Sequence, residues 1–172
     1  AVAAFMYLSG GEDDEGTLEP DQLARLVNLH RRRAAHDPWG GYHAALKLYN
    51  QGKYDAALEE LTKAAALVKK TAGEDEEETG AAQAIRYQQL ATLQAAGQIL
   101  KAYNTIPPAD ETFRTLAGMM HGREVPVEPL LELIAQHRVV RPQDPWLDYY
   151  MAVAEMRHER WPQAERLLRT CY

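Results

Sequence analysis

Six histidines, 25 acidic residues and one cysteine are the groups with which this 172-residue chain could do chemistry. The histidines are His30, His36, His43, His121, His137 and His158. None of them forms the pair, four apart on one helix, that holds a catalytic zinc. Glu155-x-x-His158 has the spacing of a carboxylate-bridged di-iron ligand pair, but such a site needs a second motif of the same kind and two further glutamates. No second motif is present. A Gly-rich phosphate loop, a serine nucleophile elbow and a histidine context for Cys171 are also missing. The sequence therefore predicts no catalytic residue, no metal site and no cofactor, and a chain that is not an enzyme.

The elements that would position any other site are helices. Ala, Leu, Glu, Gln, Lys and Arg dominate, and all of them favour helix. Runs rich in Val, Ile and Thr, which would signal strands, are absent. A formal net charge of −6 argues against a nucleic-acid binder, whose affinity comes from neutralising phosphates. The run Arg31-Arg32-Arg33 reads as the end of a helix, where cations meet the negative pole of the dipole. A single cysteine excludes an intrachain disulfide framework and leaves the compartment open, either cytoplasmic or anchored and extracytoplasmic. Ala1–Leu8 is an apolar run too short to span a bilayer. It leaves two readings: the stump of a membrane anchor, or the tail of a helix whose start lies upstream.

An internal repeat organises the chain. Asp37-Pro38-Trp39 and Asp144-Pro145-Trp146 each suit a helix start, with Asp capping free amides and Pro in the first turn. The second halves agree in the same register: Tyr54–Leu61 matches Trp161–Leu168. Pro38 and Pro145 lie 107 residues apart, and so do Ala57 and Ala164. The first unit runs from Trp39 to Asn50, turns at Gln51-Gly52-Lys53 and continues from Tyr54 to about Lys69. Gly52 suits a left-handed helix terminus. Such a hairpin cannot bury its apolar face alone and must stack on neighbours.

Leu48–Leu58 across this turn resembles the tetratricopeptide repeat signature. Gly52, Tyr54 and Ala57 stand at the turn, the following aromatic and the small crossing position, and Ala45 and Ala64 stand at two further small positions. Small residues there let two helices approach closely. The resemblance implies an all-α fold, a helical-hairpin solenoid built as a right-handed superhelical stack of antiparallel helix pairs. It divides the chain into a partial repeat over 1–36 and a repeat over 37–71. A segment over 72–110 follows, with an acidic loop and a diverged or inserted helix. Residues 111–144 form a degenerate repeat, and 145–172 a repeat cut short at its end. Ala81–Asn104 reads as one long helix in which Gly97 marks a break or a close contact. In the degenerate repeat Gly118 takes a small position, while Leu130 and His137 stand where small residues are expected.

In tetratricopeptide repeats the first helices line a concave groove that holds a partner's peptide or helix. The resemblance places Trp39, Tyr42, Leu46, Tyr49 and Asn50 there in the first unit. In the degenerate unit it places Thr112, Thr115, Met119 and Arg123, and in the last unit Trp146, Tyr149, Val153, Met156 and Arg157. Trp, Tyr, Met and Arg are the types enriched at interface cores. Aromatics at helical spacing are also ordinary core residues, so either fate is open for the two tryptophans. The Lys and Asn of a carboxylate clamp, as used by chaperone-tail binders in this family, are not evident. The expected function is a protein–protein interaction scaffold with a protein or peptide partner and no nucleic acid. Two alternatives stay open: a spacer or self-association element of a larger protein, on a membrane only if an anchor precedes residue 1, and a regulatory region of an enzyme or sensor whose catalytic domain lies outside these residues.

Overall fold

The computed structural model describes residues 20–34, 36–71, 80–122 and 124–171. Among these residues the chain is all-helical, without a strand. The helices are α1 (Pro20–Arg33), α2 (Pro38–Asn50), α3 (Tyr54–Thr71), α4 (Gly80–Ala95), α5 (Ile99–Thr105), α6 (Ala109–Met119), α7 (Glu128–Val140), α8 (Trp146–Arg157) and α9 (Trp161–Thr170). No described helix is long and apolar enough to cross a membrane. The apolar run Ala1–Leu8 and the acidic loop around Glu74–Glu78 lie outside the described residues. The chain divides into two compact units, Ala1–Gln88 and Gln89–Tyr172, with the boundary inside α4.

In the first unit α2 and α3 form a tight antiparallel hairpin, and α1 packs on α2. Its core joins Ala45, Ala57, Leu61, Ala64, Val68 and Ile85, all buried. The helices come together where side chains are smallest. A Cβ added to Gly41 would stand 3.0 Å from the Ala64 Cβ and 3.3 Å from the Glu60 carbonyl oxygen, so any larger residue at this crossing would push its neighbours back by a few tenths of an ångström. In the second unit α5 packs on both α6 and α7, α7 packs on α6 and on α8, and α8 pairs with α9. Phe113, Leu116, Leu130, Leu133 and Ile134 fill its centre without solvent exposure.

The expected long helix over 81–104 is two helices. Gly97 has φ +70° and ends α4 at Ala95. The Gln98 amide reaches back to the Leu93 carbonyl (2.8 Å), and the Gly97 amide donates to Gln94 (2.9 Å). The same pair of bonds closes α2, from Lys53 to Leu48 and Gly52 to Tyr49, and closes α8, from Arg160 to Glu155 and Glu159 to Met156. All three are Schellman termini, which satisfy carbonyls that a helix end leaves open. In each, the residue at positive φ lies five positions before a buried alanine: Gly52 before Ala57, Gly97 before Ala102 and Glu159 before Ala164. The α6–α7 connection differs. It is a longer loop through Val125 and Pro126, and Ala117, not Gly118, is the small buried residue of α6.

Glu159 adopts φ 59°, where Cβ crowds the backbone, whereas glycine fills the two equivalent turns. Glu159→Gly is expected to stabilise the chain by about 1 kcal/mol, and Gly97→Ala to destabilise it by about the same amount. Urea denaturation of the intact chain measures both; equal and opposite shifts are the signature of the left-handed turn.

Candidate functional site

Two places in the structure could do something beyond packing: a repeated His–Asp junction ahead of each Asp-Pro-Trp helix, and the aromatic side chains that follow it. The junction was not singled out in the sequence, although His30 and His137 obey the 107-residue offset already seen for the Asp-Pro-Trp segments. In the first unit the His30 Nε2 lies 2.7 Å from Asp37 Oδ2, while Asp37 Oδ1 accepts the Trp39 amide at 2.9 Å. In the second the His137 Nε2 lies 2.9 Å from Asp144 Oδ2, and Asp144 Oδ1 accepts the Trp146 amide at 2.9 Å. One carboxylate thus caps the incoming helix with one oxygen and ties it to the preceding helix with the other.

His137 is fully buried in this junction. A carboxylate only accepts, so Nε2 carries a proton; in the neutral ring Nδ1 then accepts from the Tyr103 hydroxyl at 2.8 Å. The ring stacks on Phe113 with centroids 4.0 Å apart and planes 6° apart. Burial, then the nearby Asp110 carboxylate, raises the Tyr103 pKa above its ordinary 10.0, which keeps the donor proton in place. Asp110, His137 and Asp144 bring ligand-type atoms within 4.8 Å of one another and are the candidate metal cluster among the described residues. Each is committed elsewhere. Asp110 Oδ1 accepts from Arg141 Nε at 3.1 Å, and Asp144 uses both oxygens as above. The Arg141 guanidinium also places a positive charge beside any incoming cation. The cluster therefore reads as a structural junction. Glu155 of the Glu155-x-x-His158 spacing is likewise engaged, in a 2.7 Å ion pair with Arg160, and His158 is exposed.

The aromatic geometry repeats between the units. Trp39 meets Tyr42 edge to face at 5.4 Å and 86°; Trp146 meets Tyr149 at 5.5 Å and 84°. Trp39 lies 6.2 Å from His43, and Trp146 lies 6.0 Å from Tyr150, both tilted by about 30°. In the first unit these side chains lean inward. Tyr42 and Tyr49 pack against the core cluster, Trp39 and Leu46 are half-buried, and only Asn50 of the five expected groove residues is exposed. Burial, then Tyr87, raises the Tyr42 pKa. His43 beneath them has its pKa lowered to about 4 by burial and by His30, against the opposing pull of Asp37.

In the second unit Trp146 is 41% exposed and lines an open cleft with Arg114, Arg141 and Pro145. Tyr149 is half-buried between Trp146 and His121. Met156 and Arg157 line a second cleft, which opens between the α6–α7 loop and the α8–α9 turn. Two expected groove residues are core. Val153 is 2% exposed and forms the floor beneath that cleft, because α8 leans this face onto the neighbouring helices. Thr112 is fully buried, its hydroxyl donating to the Ile106 carbonyl at 2.6 Å. Met119 and Thr115 are half-buried, and Arg123 lies outside the described residues. The cleft also contains Trp161, 57% exposed, which the sequence comparison treated only as the counterpart of Tyr54.

No family model matches the chain, and no curated protein or solved structure matches it significantly.

Asp144→Ala removes a cap and leaves a buried imidazole N–H without its acceptor, an expected loss of about 2–4 kcal/mol. Asp37→Ala is expected to cost less, about 1–2 kcal/mol, because His30 retains access to water. Urea midpoints of the two variants test this order. His43 has a folded pKa below its ordinary 6.5, so the unfolded chain takes up the proton first. Its contribution to stability is present above pH 6.5 and is lost as pH falls toward 4, by up to about 3 kcal/mol. Stability measured against pH should show this slope in the parent and lose it in His43→Tyr, the residue found at the equivalent place, Tyr150.

Proposed function

We propose that the chain is a tetratricopeptide-like helical-repeat module that binds a peptide or helix of a partner protein. Its hairpins form a right-handed superhelical stack in this reading, and its work is recognition, not catalysis. The turn-and-alanine spacing, seen at three turns of which two join helices packed on each other, supports the family reading. The observation that carries the functional one is the exposure of Trp146 and Trp161, each beside an open cleft on the α8–α9 hairpin. An indole offers large apolar area with one polar tip, and leaving it in water forgoes burial worth about 2–3 kcal/mol. Such side chains beside a concavity are the usual anchors of interface hot spots. Met156 adds an adaptable apolar surface in the second cleft.

A display library of random dodecapeptides, panned on the intact chain, tests the reading. Retained peptides are expected to lose affinity about tenfold or more, equivalent to about 1.4 kcal/mol, on Trp161→Ala or Met156→Ala. The thermal midpoint should change little, because Trp161 is solvent-exposed. Retention of no peptide, or binding indifferent to Trp146, Met156 and Trp161 alike, would overturn the reading.

A further inference from the structure

We propose that the cleft between the α6–α7 loop and the α8–α9 turn takes a peptide segment in which an apolar side chain is flanked by lysine or arginine. This rests on the peptide-binding reading and specifies its ligand. The lining combines two chemistries. Val125, Met156 and Trp161 supply the apolar part, and Glu124, Glu128 and Glu159 supply three carboxylates. None of the three carboxylates is ion-paired to a described residue. Among the described lining residues Arg157 is the one Arg or Lys; its Nη1 donates to the Met120 carbonyl at 3.0 Å, and three carboxylates against its single positive charge leave the lining negative.

Helix polarity acts in the same direction. α6 ends at Met119 and α8 ends at Arg157, so the C-terminal ends of two helices meet at this cleft, as the Arg157–Met120 bond shows. A helix C-terminus carries partial negative charge, about half an elementary charge; at the end of α6 the Arg157 guanidinium offsets it, and the end of α8 adds to the carboxylates. An unpaired group of carboxylates set against helix C-termini attracts cations and repels acidic chains.

Glu159 places the third carboxylate on the α8–α9 turn. Its backbone is held at φ 59° in a turn where Gly52 and Gly97 serve at the two equivalent places. A carboxylate therefore stands at the rim of the cleft in a conformation that opposes any residue with a Cβ. The apolar part contributes affinity by burial, and the carboxylates select by charge which apolar peptides enter.

The test uses the intact chain and a fluorescein-labelled nonapeptide alternating leucine and lysine, with leucine–serine and leucine–glutamate versions as comparisons. Fluorescence anisotropy should show the lysine version binding about tenfold or more tighter than the other two, with affinity falling as salt rises. The triple substitution Glu124→Gln, Glu128→Gln, Glu159→Gln should weaken it about tenfold or more. Glu165→Gln, which disturbs only an exposed ion pair with Arg169, should leave it unchanged. Equal binding of the serine version, or an unaffected triple variant with a parental thermal midpoint, overturns the charge selection while peptide binding stands. Absence of binding by all three versions also overturns this proposal; the broader reading falls with it only if the random library is not retained either.

Discussion

Close approach of two helices is possible only where neither presents a bulky side chain, and in this chain that condition is met repeatedly by one short device. A residue at positive φ reverses the chain, two backbone amides tie off the preceding helix, and five residues later an alanine is buried. The geometry leaves little freedom. The turn sets where the second helix starts, and the alanine sets how near it can lie. At Gly41 and Ala64 the same logic is at its tightest, with a separation at which a further carbon would displace its neighbours. Everything larger, including the position of the aromatic residues on the first helix of each hairpin, follows from that spacing.

The Asp-Pro-Trp segments solve a second problem, that of joining one hairpin to the next. A helix start exposes amides, and a helix end exposes carbonyls. Asp37 and Asp144 satisfy an amide ahead of them and hold an imidazole behind them, so one side chain links the end of one helix to the start of another. Burial differs sharply between the two copies. His137 is sealed beneath Phe113 and Tyr103, whereas His30 keeps a quarter of its side chain in contact with solvent. The same motif therefore contributes unequally to stability, because the cost of an unsatisfied polar group depends on how completely water is excluded.

Much of this was legible in the sequence, and the reasons for the exceptions are physical. Asp before Pro announces a capped helix by chemistry alone, and Gly52 announces its turn because few other residues tolerate the conformation. Gly97 carried the same information, but its flanks, Ala95-Ala96 and Gln98-Ile99, are strong or neutral helix formers that conceal a break. Glu159 could not be read at all as a left-handed residue, since propensity argues against it; only the match to Gly52 at the 107-residue offset points there. The His–Asp link joins residues seven apart, which is two turns of a continuous helix; here the helix ends between them, so periodicity alone does not announce the contact.

Surface residues were harder to place than the core, and the two units show why. Equivalent positions carry Trp39 and Trp146, Tyr42 and Tyr149, and the ring geometry is nearly superposable. Yet Tyr42 and Tyr49 pack against a core of three alanines with Leu61, Val68 and Ile85, while in the second unit α8 buries Leu147, Tyr150 and Val153. With the interior occupied, Trp146 and Trp161 remain outside. The same residue type at the same repeat position is thus half-buried in one unit, as Trp39 is, and exposed in the other, as Trp146 is.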